Sequence, residues 1–170
     1  MKKDLSSIAK NKTWELVPLP KGRKALPCKW DYKKKIASNV ENYKARLVAK
    51  GFKQEYGVDF QEIFSPGVKM TTLRMLLALV ATEDMELDRM DAITAFLHGD
   101  LEEEIYMQQP EGFVQKGKEH LICKLLKSLY GVKQSSRQWY HKFDAFMRSL
   151  SSSFCCSLSS SRIHGGLLVT

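Results

Sequence analysis

The sequence has no long apolar run. Its longest, Met75 to Ala81, is seven residues, far short of the ~20 that a bilayer-spanning helix needs. No apolar h-region follows the basic start Met1-Lys2-Lys3, so no secretory signal is visible. Cysteine is scarce and unpatterned: Cys28, Cys123, Cys155 and Cys156 show no Cys-x-x-Cys spacing. That argues for reduced thiols in an intracellular chain and against a disulfide framework. His98, His120, His141 and Cys123 form no ligand-like grouping, which argues against zinc. An Asp-Asp pair is also missing, and no acidic residue follows Asp144.

What is present is ordinary in bulk. The 170 residues are 44% apolar and 27% charged, enough for one domain with a core and short for two. The net charge of +8 becomes informative when it is followed along the chain. Residues 1–53 hold 15 Lys/Arg against 4 Asp/Glu, residues 54–112 hold 3 against 13, and residues 113–170 hold 9 against 2. A basic, acidic, basic order suits a site where carboxylates gather divalent metal and flanking cations hold phosphates. Alternating acidic and basic surface elements would give the same order without any site.

Lys2 to Lys12 is polar and unpatterned, and is expected to be a flexible N-terminus. Trp14-Glu-Leu-Val-Pro-Leu-Pro-Lys-Gly reads as a short strand or extended piece broken by Pro18, Pro20 and Gly22. Cys28 to Ile36 and Tyr43 to Phe52 alternate like two strands of a hairpin joined by residues 37–42. Period-two geometry puts Lys29, Asp31, Lys33 and Lys35 on one face of the first strand, with Cys28, Trp30 and Tyr32 opposite. On the second strand it groups Lys44, Arg46, Val48, Lys50 and Phe52, with Tyr43, Ala45, Leu47 and Ala49 opposite. The hairpin would pack its aromatic-apolar face on a core and present cations outward.

Farther on, Gly57 to Gly67 is loop-like. Thr71 or Thr72 is positioned to cap a helix reaching about Glu83, with the stripe Leu73, Leu76, Leu77, Val80. Glu86 to Ala92 predicts a strand and Asp100 to Glu104 a solvated acidic cluster. Leu121 to Leu125 predicts another strand. Ser135 or Ser136 would cap a second helix burying Trp139, Phe143, Phe146, Met147 and Leu150. Strands interleaved with helices fit an α+β or α/β layer fold. From Ser149 to Ser161 eight of thirteen residues are serine, so 151–170 is expected to be a disordered, Ser-rich tail or the product of a shifted reading frame.

The stretch with most chemical content is Met90-Asp-Ala-Ile-Thr-Ala-Phe-Leu-His-Gly. Asp91 ends a strand, enters a turn and precedes Phe96 by five residues. A carboxylate there suits a hard divalent cation, and the aromatic could wall off a sugar ring. Alone, this pattern also describes an Asp at a turn. Further words follow in one order: Tyr43-Lys-Ala-Arg-Leu-Val-Ala-Lys-Gly-Phe-Lys-Gln, Phe64-Ser-Pro-Gly, Gln109-Pro-Glu-Gly-Phe, Lys127-Ser-Leu-Tyr-Gly-Val-Lys-Gln and Arg137-Gln-Trp-Tyr. Together they closely resemble the reverse transcriptase domain of copia-type LTR retrotransposons, particularly those of plants, over roughly residues 13–150.

The resemblance implies an α+β, partial right-hand polymerase fold, with fingers over about 13–68 and the first half of the palm over about 69–150. Residues 1–12 would be a flexible leader and 151–170 a non-homologous tail. It implies that Arg46 and one of Lys33 or Lys35 reach the incoming triphosphate, with the backbone of Ala92 and Ile93 nearby. Asp91 matches the first metal-binding, catalytic aspartate, and Phe96 the aromatic that blocks a ribose 2′-OH. Gly131 falls in a loop that contacts template and nucleotide, where glycine permits close backbone approach. The implied cofactor is Mg²⁺, as two ions in the intact family. The implied partners are an RNA or DNA template-primer and deoxynucleoside triphosphates, with other element-encoded fragments as further partners and no membrane. The implied location is the cytoplasm or virus-like particles.

The sequence also departs from the family. Ala92-Ile93 stands where Val-Lys is usual, Asp31 where an apolar residue is usual, and Ser135-Ser136 where Ala-Pro is usual. Above all, the Tyr-x-Asp-Asp motif is missing. Two-metal chemistry places its ions about 3.5–4 Å apart, and one aspartate cannot bridge both. The expectation is therefore a reverse transcriptase fragment that is inactive alone. Two alternatives stay open: a residual, non-catalytic nucleic-acid-binding module and a non-functional relic.

Overall fold

The computed structural model describes residues 1–37, 40–157 and 166–169. Helices and mainly antiparallel strands alternate along the chain, consistent with an α+β protein. The chain divides into two compact units. The first comprises 1–64 and 94–142, the second 65–93 and 143–170.

A three-stranded antiparallel sheet organises the first unit. Its order is β1 (Trp14–Val17), β6 (Ile122–Lys127), β5 (Asp100–Met107), numbering strands along the chain. Ile105 and Met107 of β5 and Cys123 and Leu125 of β6 are buried, as are Leu26, Leu47, Leu97 and Leu129 around them. A second sheet is the hairpin of β2 (Cys28–Ala37) and β3 (Val40–Ala49). The segment leading into β2 is tied to β5: Leu26 N–H donates to Tyr106 O at 2.7 Å and Gln108 N–H to Leu26 O at 2.8 Å.

The hairpin is longer than the sequence predicted. Its strands extend to Ala37 and from Val40, so the expected six-residue loop shrinks to positions 38 and 39, which lie outside the described residues. Ile36 and Val40, both β-branched, favour continued strand. At the other end β3 stops at Ala49 and Gly51–Lys53 forms a 3-10 turn containing Phe52. The face assignment holds, since Lys29, Asp31 and Lys33 stand opposite Val48, Arg46 and Lys44. The aromatic face, however, packs only at its base. Leu47 and Ala49 are buried and Trp30 meets Phe113 edge-on at 5.6 Å, whereas Tyr32 and Tyr43 are 65% and 74% exposed.

The N-terminal segment expected to be flexible is instead α1 (Lys2–Lys10). Ile8 is buried in the core, and Asp4 Oδ2 accepts a hydrogen bond from Leu47 N–H at 2.8 Å. The segment is only sparsely apolar, so a single anchor and one backbone bond to β3 hold it. The acidic cluster 102–104 belongs to β5 and is not simply solvated. Glu104 pairs with Lys124 at 2.8 Å and Glu103 accepts from Gln134, while Asp100 of the same strand pairs with Lys142.

In the second unit α2 (Met70–Thr82) starts one residue before the predicted caps, with Lys69 at the cap position and no side-chain capping bond. Its stripe is not covered: Leu73 and Val80 are half-buried, and Leu76 and Leu77 are 40% and 39% exposed. β4 (Leu87–Met90) pairs in parallel with β7 (Gly166–Val169). The last helix, α3 (Ser135–Ser157), runs beyond the expected boundary at 150. The helix meets no proline or glycine before 157, either of which would end it. The predicted apolar side of α3 is incompletely buried, with Trp139, Phe143 and Met147 half-buried but Phe146 57% and Leu150 37% exposed.

Candidate functional site

Predicted site residues fall in both units. Lys33, Lys35, Arg46, Phe96 and Gly131 belong to the first, and Asp91, Ala92 and Ile93 to the second. Within the first unit the fold brings Arg46, Phe96 and the 130–131 turn together. The Arg46 guanidinium lies over the Tyr130 ring at 5.4 Å, and that ring meets Phe96 edge-on at 5.5 Å. Tyr130 was not among the predicted site residues, although the word that contains it was. It is the ring that joins two of them, through a cation–π contact and a T-shaped aromatic contact.

The elements that place these groups are well anchored. Arg46 sits on β3 beside the buried Leu47. Phe96 lies in the 3-10 turn Ala95–His98, entered by Thr94 in left-handed backbone (φ 56°), an uncommon conformation for a β-branched residue. Tyr130 O accepts from Ala49 N–H at 2.8 Å. Gly131 has φ 87°, and a Cβ there would meet Ala49 O at 2.2 Å and Val48 Cγ1 at 2.6 Å. The close approach Gly131 makes here is to the hairpin of the chain itself.

A second junction lies beside the first and escaped sequence reasoning. Gly51-Phe-Lys-Gln54 and Gly131-Val-Lys-Gln134 share the pattern Gly-x-Lys-Gln, and their ends meet pairwise. A Cβ on Gly51 would lie 1.9 Å from Gly131 O, and Gln54 Nε2 donates to Gln134 Oε1 at 3.0 Å. Lys133 N–H donates to Gln54 Oε1 at 2.8 Å, and Gln134 Nε2 to Asp59 O and Glu103 Oε2. Lys133 Nζ lies 4.2 Å from the Phe60 ring centre. The repeated tetrapeptide was the signal available in the sequence.

Lys33 is exposed and stands across from Lys44; neither has an ion-pair partner among the described residues. Lys35 is in register with Asn42, and its side chain lies outside the described residues. Asp91 follows β4 directly and is exposed, as is Ile93, with Ala92 half-buried. Among the described residues no three His, Cys, Asp or Glu side chains cluster so as to hold a metal ion. A single exposed carboxylate does not make the two-ion site, so the donor set present does not fit that group. Cys123, buried against Cys28, has its thiol pushed up to about 12, first by burial; it is inert core. No helix among the described residues is long and apolar enough to cross a membrane.

Residues 11–159 match the family model described as reverse transcriptase (RNA-dependent DNA polymerase). The chain belongs to this reverse transcriptase family. It is 58% identical over 151 residues to a retrovirus-related Pol polyprotein from transposon TNT 1-94 of Nicotiana tabacum, covering 88% of this chain and 11% of that one. The Pol polyprotein from transposon RE1 of Arabidopsis thaliana is 41% identical over 143 residues, 82% of this chain and 10% of that one. An uncharacterized mitochondrial protein of Arabidopsis thaliana is 47% identical over 79 residues, 45% of this chain and 46% of that one. This reverse transcriptase segment therefore resembles plant copia-type Pol polyproteins while spanning about a tenth of the first two. No solved structure matches it.

Proposed function

We propose that the chain is the fingers and the first part of the palm of a copia-type reverse transcriptase, ancestrally engaged in template-directed nucleotidyl transfer. The observation that carries this reading is the contact series Arg46–Tyr130–Phe96. It gathers a phosphate-binding guanidinium and a ribose-sized aromatic in one place, supporting an incoming deoxynucleoside triphosphate as the ligand. Lys33 extends the cationic side, and Gly131 fixes the turn beneath. Asp91 is the one metal-binding carboxylate of the ancestral set. With no Asp-Asp pair in the sequence, the polypeptide is inactive alone. Two measurements test the reading. Calorimetric titration with a deoxynucleoside triphosphate should weaken about tenfold or more in Arg46→Ala. Primer extension with Mg²⁺ or Mn²⁺ should be absent, and extension abolished by Asp91→Ala would overturn the inactivity.

A second reading, a nucleic-acid-binding module without catalysis, is favoured by the cationic hairpin face. Lys29, Lys33 and Lys44 lack ion-pair partners among the described residues. Such a face binds through counterion release, with affinity falling steeply with salt and indifferent to sequence. A salt series of filter-binding measurements tests it, and a slope near zero removes it.

A further inference from the structure

The hairpin has a second exposed surface that the phosphate-binding face does not explain. Tyr32 and Tyr43 lie on the side opposite Arg46 and Lys44, and are 65% and 74% exposed. Their register makes them diagonal neighbours, since Tyr32 faces Ala45 and Tyr43 faces Lys34. Diagonal positions of an antiparallel pair are about 7–8 Å apart, roughly two base thicknesses at a rise of about 3.4 Å. Two large rings presented as neighbours on a β-ribbon form the kind of contiguous exposed patch that marks an interaction surface.

The charge around the rings names the class of that cover. Lys34 Nζ sits 5.7 Å from the Tyr43 ring centre and pairs with Glu41, which also accepts from the Tyr43 hydroxyl. The Tyr32 hydroxyl donates to Met1 Sδ at 3.6 Å, which brings the first turn of α1, with exposed Lys2 and Lys3, beside it. Over residues 1–53 the chain carries 15 Lys/Arg against 4 Asp/Glu. Flat aromatic faces bordered by lysines suit unpaired bases with their phosphates; a duplex keeps its base faces stacked.

We propose that Tyr32 and Tyr43 form a stacking platform for single-stranded nucleic acid, on the hairpin face opposite Arg46. Bases rest on the two rings, and Lys2, Lys3 and Lys34 hold the backbone. Glu41 restrains the platform by neutralising Lys34. This inference rests on the nucleic-acid reading above and adds a base-stacking surface to its purely electrostatic one.

The test uses the full chain and fluorescently labelled 12-nucleotide single-stranded and duplex DNA, read by anisotropy across a salt series. Tyr32→Ala and Tyr43→Ala should each weaken single-strand binding about tenfold, leaving duplex binding and the salt slope unchanged. Tyr43→Phe should retain wild-type affinity, because the ring survives. Glu41→Gln should tighten binding and steepen the slope by releasing Lys34. Both tyrosines are exposed, so circular dichroism should show every variant folded. Salt-dependent wild-type binding that Tyr32→Ala and Tyr43→Ala leave unchanged would overturn the platform alone. No salt-dependent binding by wild type would overturn the nucleic-acid reading with it.

Discussion

Gln54 and Gln134, eighty positions apart, are joined by a 3.0 Å hydrogen bond in which the Gln54 amide donates and the Gln134 carbonyl accepts. Both side chains are buried, at 5% and 0% exposure. Each closes a Gly-x-Lys-Gln turn, and the glycines that open those turns touch as well. The two turns clamp the base of the β2–β3 hairpin to the start of α3.

Breaking this clamp removes one hydrogen bond from a buried amide that keeps its others. Gln54→Ala and Gln134→Ala should each destabilise the chain by about 1–3 kcal/mol. The double variant should cost less than the two together, since the shared bond is lost once. Urea denaturation of the four proteins measures the coupling; full additivity would mean that the bond contributes nothing.

Gly131→Ala should be more damaging than an ordinary glycine replacement. Gly112 has a similar φ of 79° with open space around its would-be Cβ, whereas Gly131 meets Ala49 O at 2.2 Å. Gly112→Ala is expected to cost about 1 kcal/mol from backbone strain alone. Gly131→Ala should cost clearly more and displace the Tyr130 ring from Arg46. Equal denaturation midpoints would refute the packing argument.

Cys123 gives the molecule a pH-dependent stability at the alkaline end. Its folded-state thiol is raised to about 12, chiefly by burial, whereas an unfolded thiol ionises near 8.5. Between those values the unfolded chain releases a proton that the folded chain keeps, so stability falls as pH rises from about 8.5 towards 12 and is unaffected below. The denaturation midpoint of wild type should drop over pH 8.5–10 more than that of Cys123→Val. Parallel curves would show that the thiol is not shielded.

The apolar stripe of α2 should be replaceable at little cost in stability. Leu76 and Leu79 are 40% and 50% exposed, and no residue of α2 is buried. Leu76→Gln and Leu79→Gln should change stability by no more than about 0.5 kcal/mol while reducing binding of an apolar fluorescent dye. A large loss of stability would mean that the helix is covered in solution.

How much of this was legible depended on what each signal reports. Alternation reports faces directly, so the period-two pattern alone assigns Lys29, Lys33 and Arg46 to the correct side of the hairpin. The stripe on α2 reports which side of a helix is apolar, not whether anything lies against it, and burial there did not follow. Glu102, Glu103 and Glu104 concealed a strand, because three like charges obscure an alternation carried only by Leu101, Ile105 and Met107. The motif words singled out Arg46, Phe96 and Gly131, and the fold sets these three near one another. Tyr130 was not singled out, since its role depends on a contact between segments far apart in sequence.

The parallel pairing of β4 with β7 bears on any attempt to rebuild a polymerase site on this chain. Leu87 through Met90 are matched with Gly166 through Val169, ending one residue before Asp91. The strand seated there comes from a stretch with no aspartate or glutamate after Asp144, so the neighbour of the strand leading to Asp91 brings no second carboxylate to it. A polypeptide supplied to bring further carboxylates along that edge would first have to displace β7.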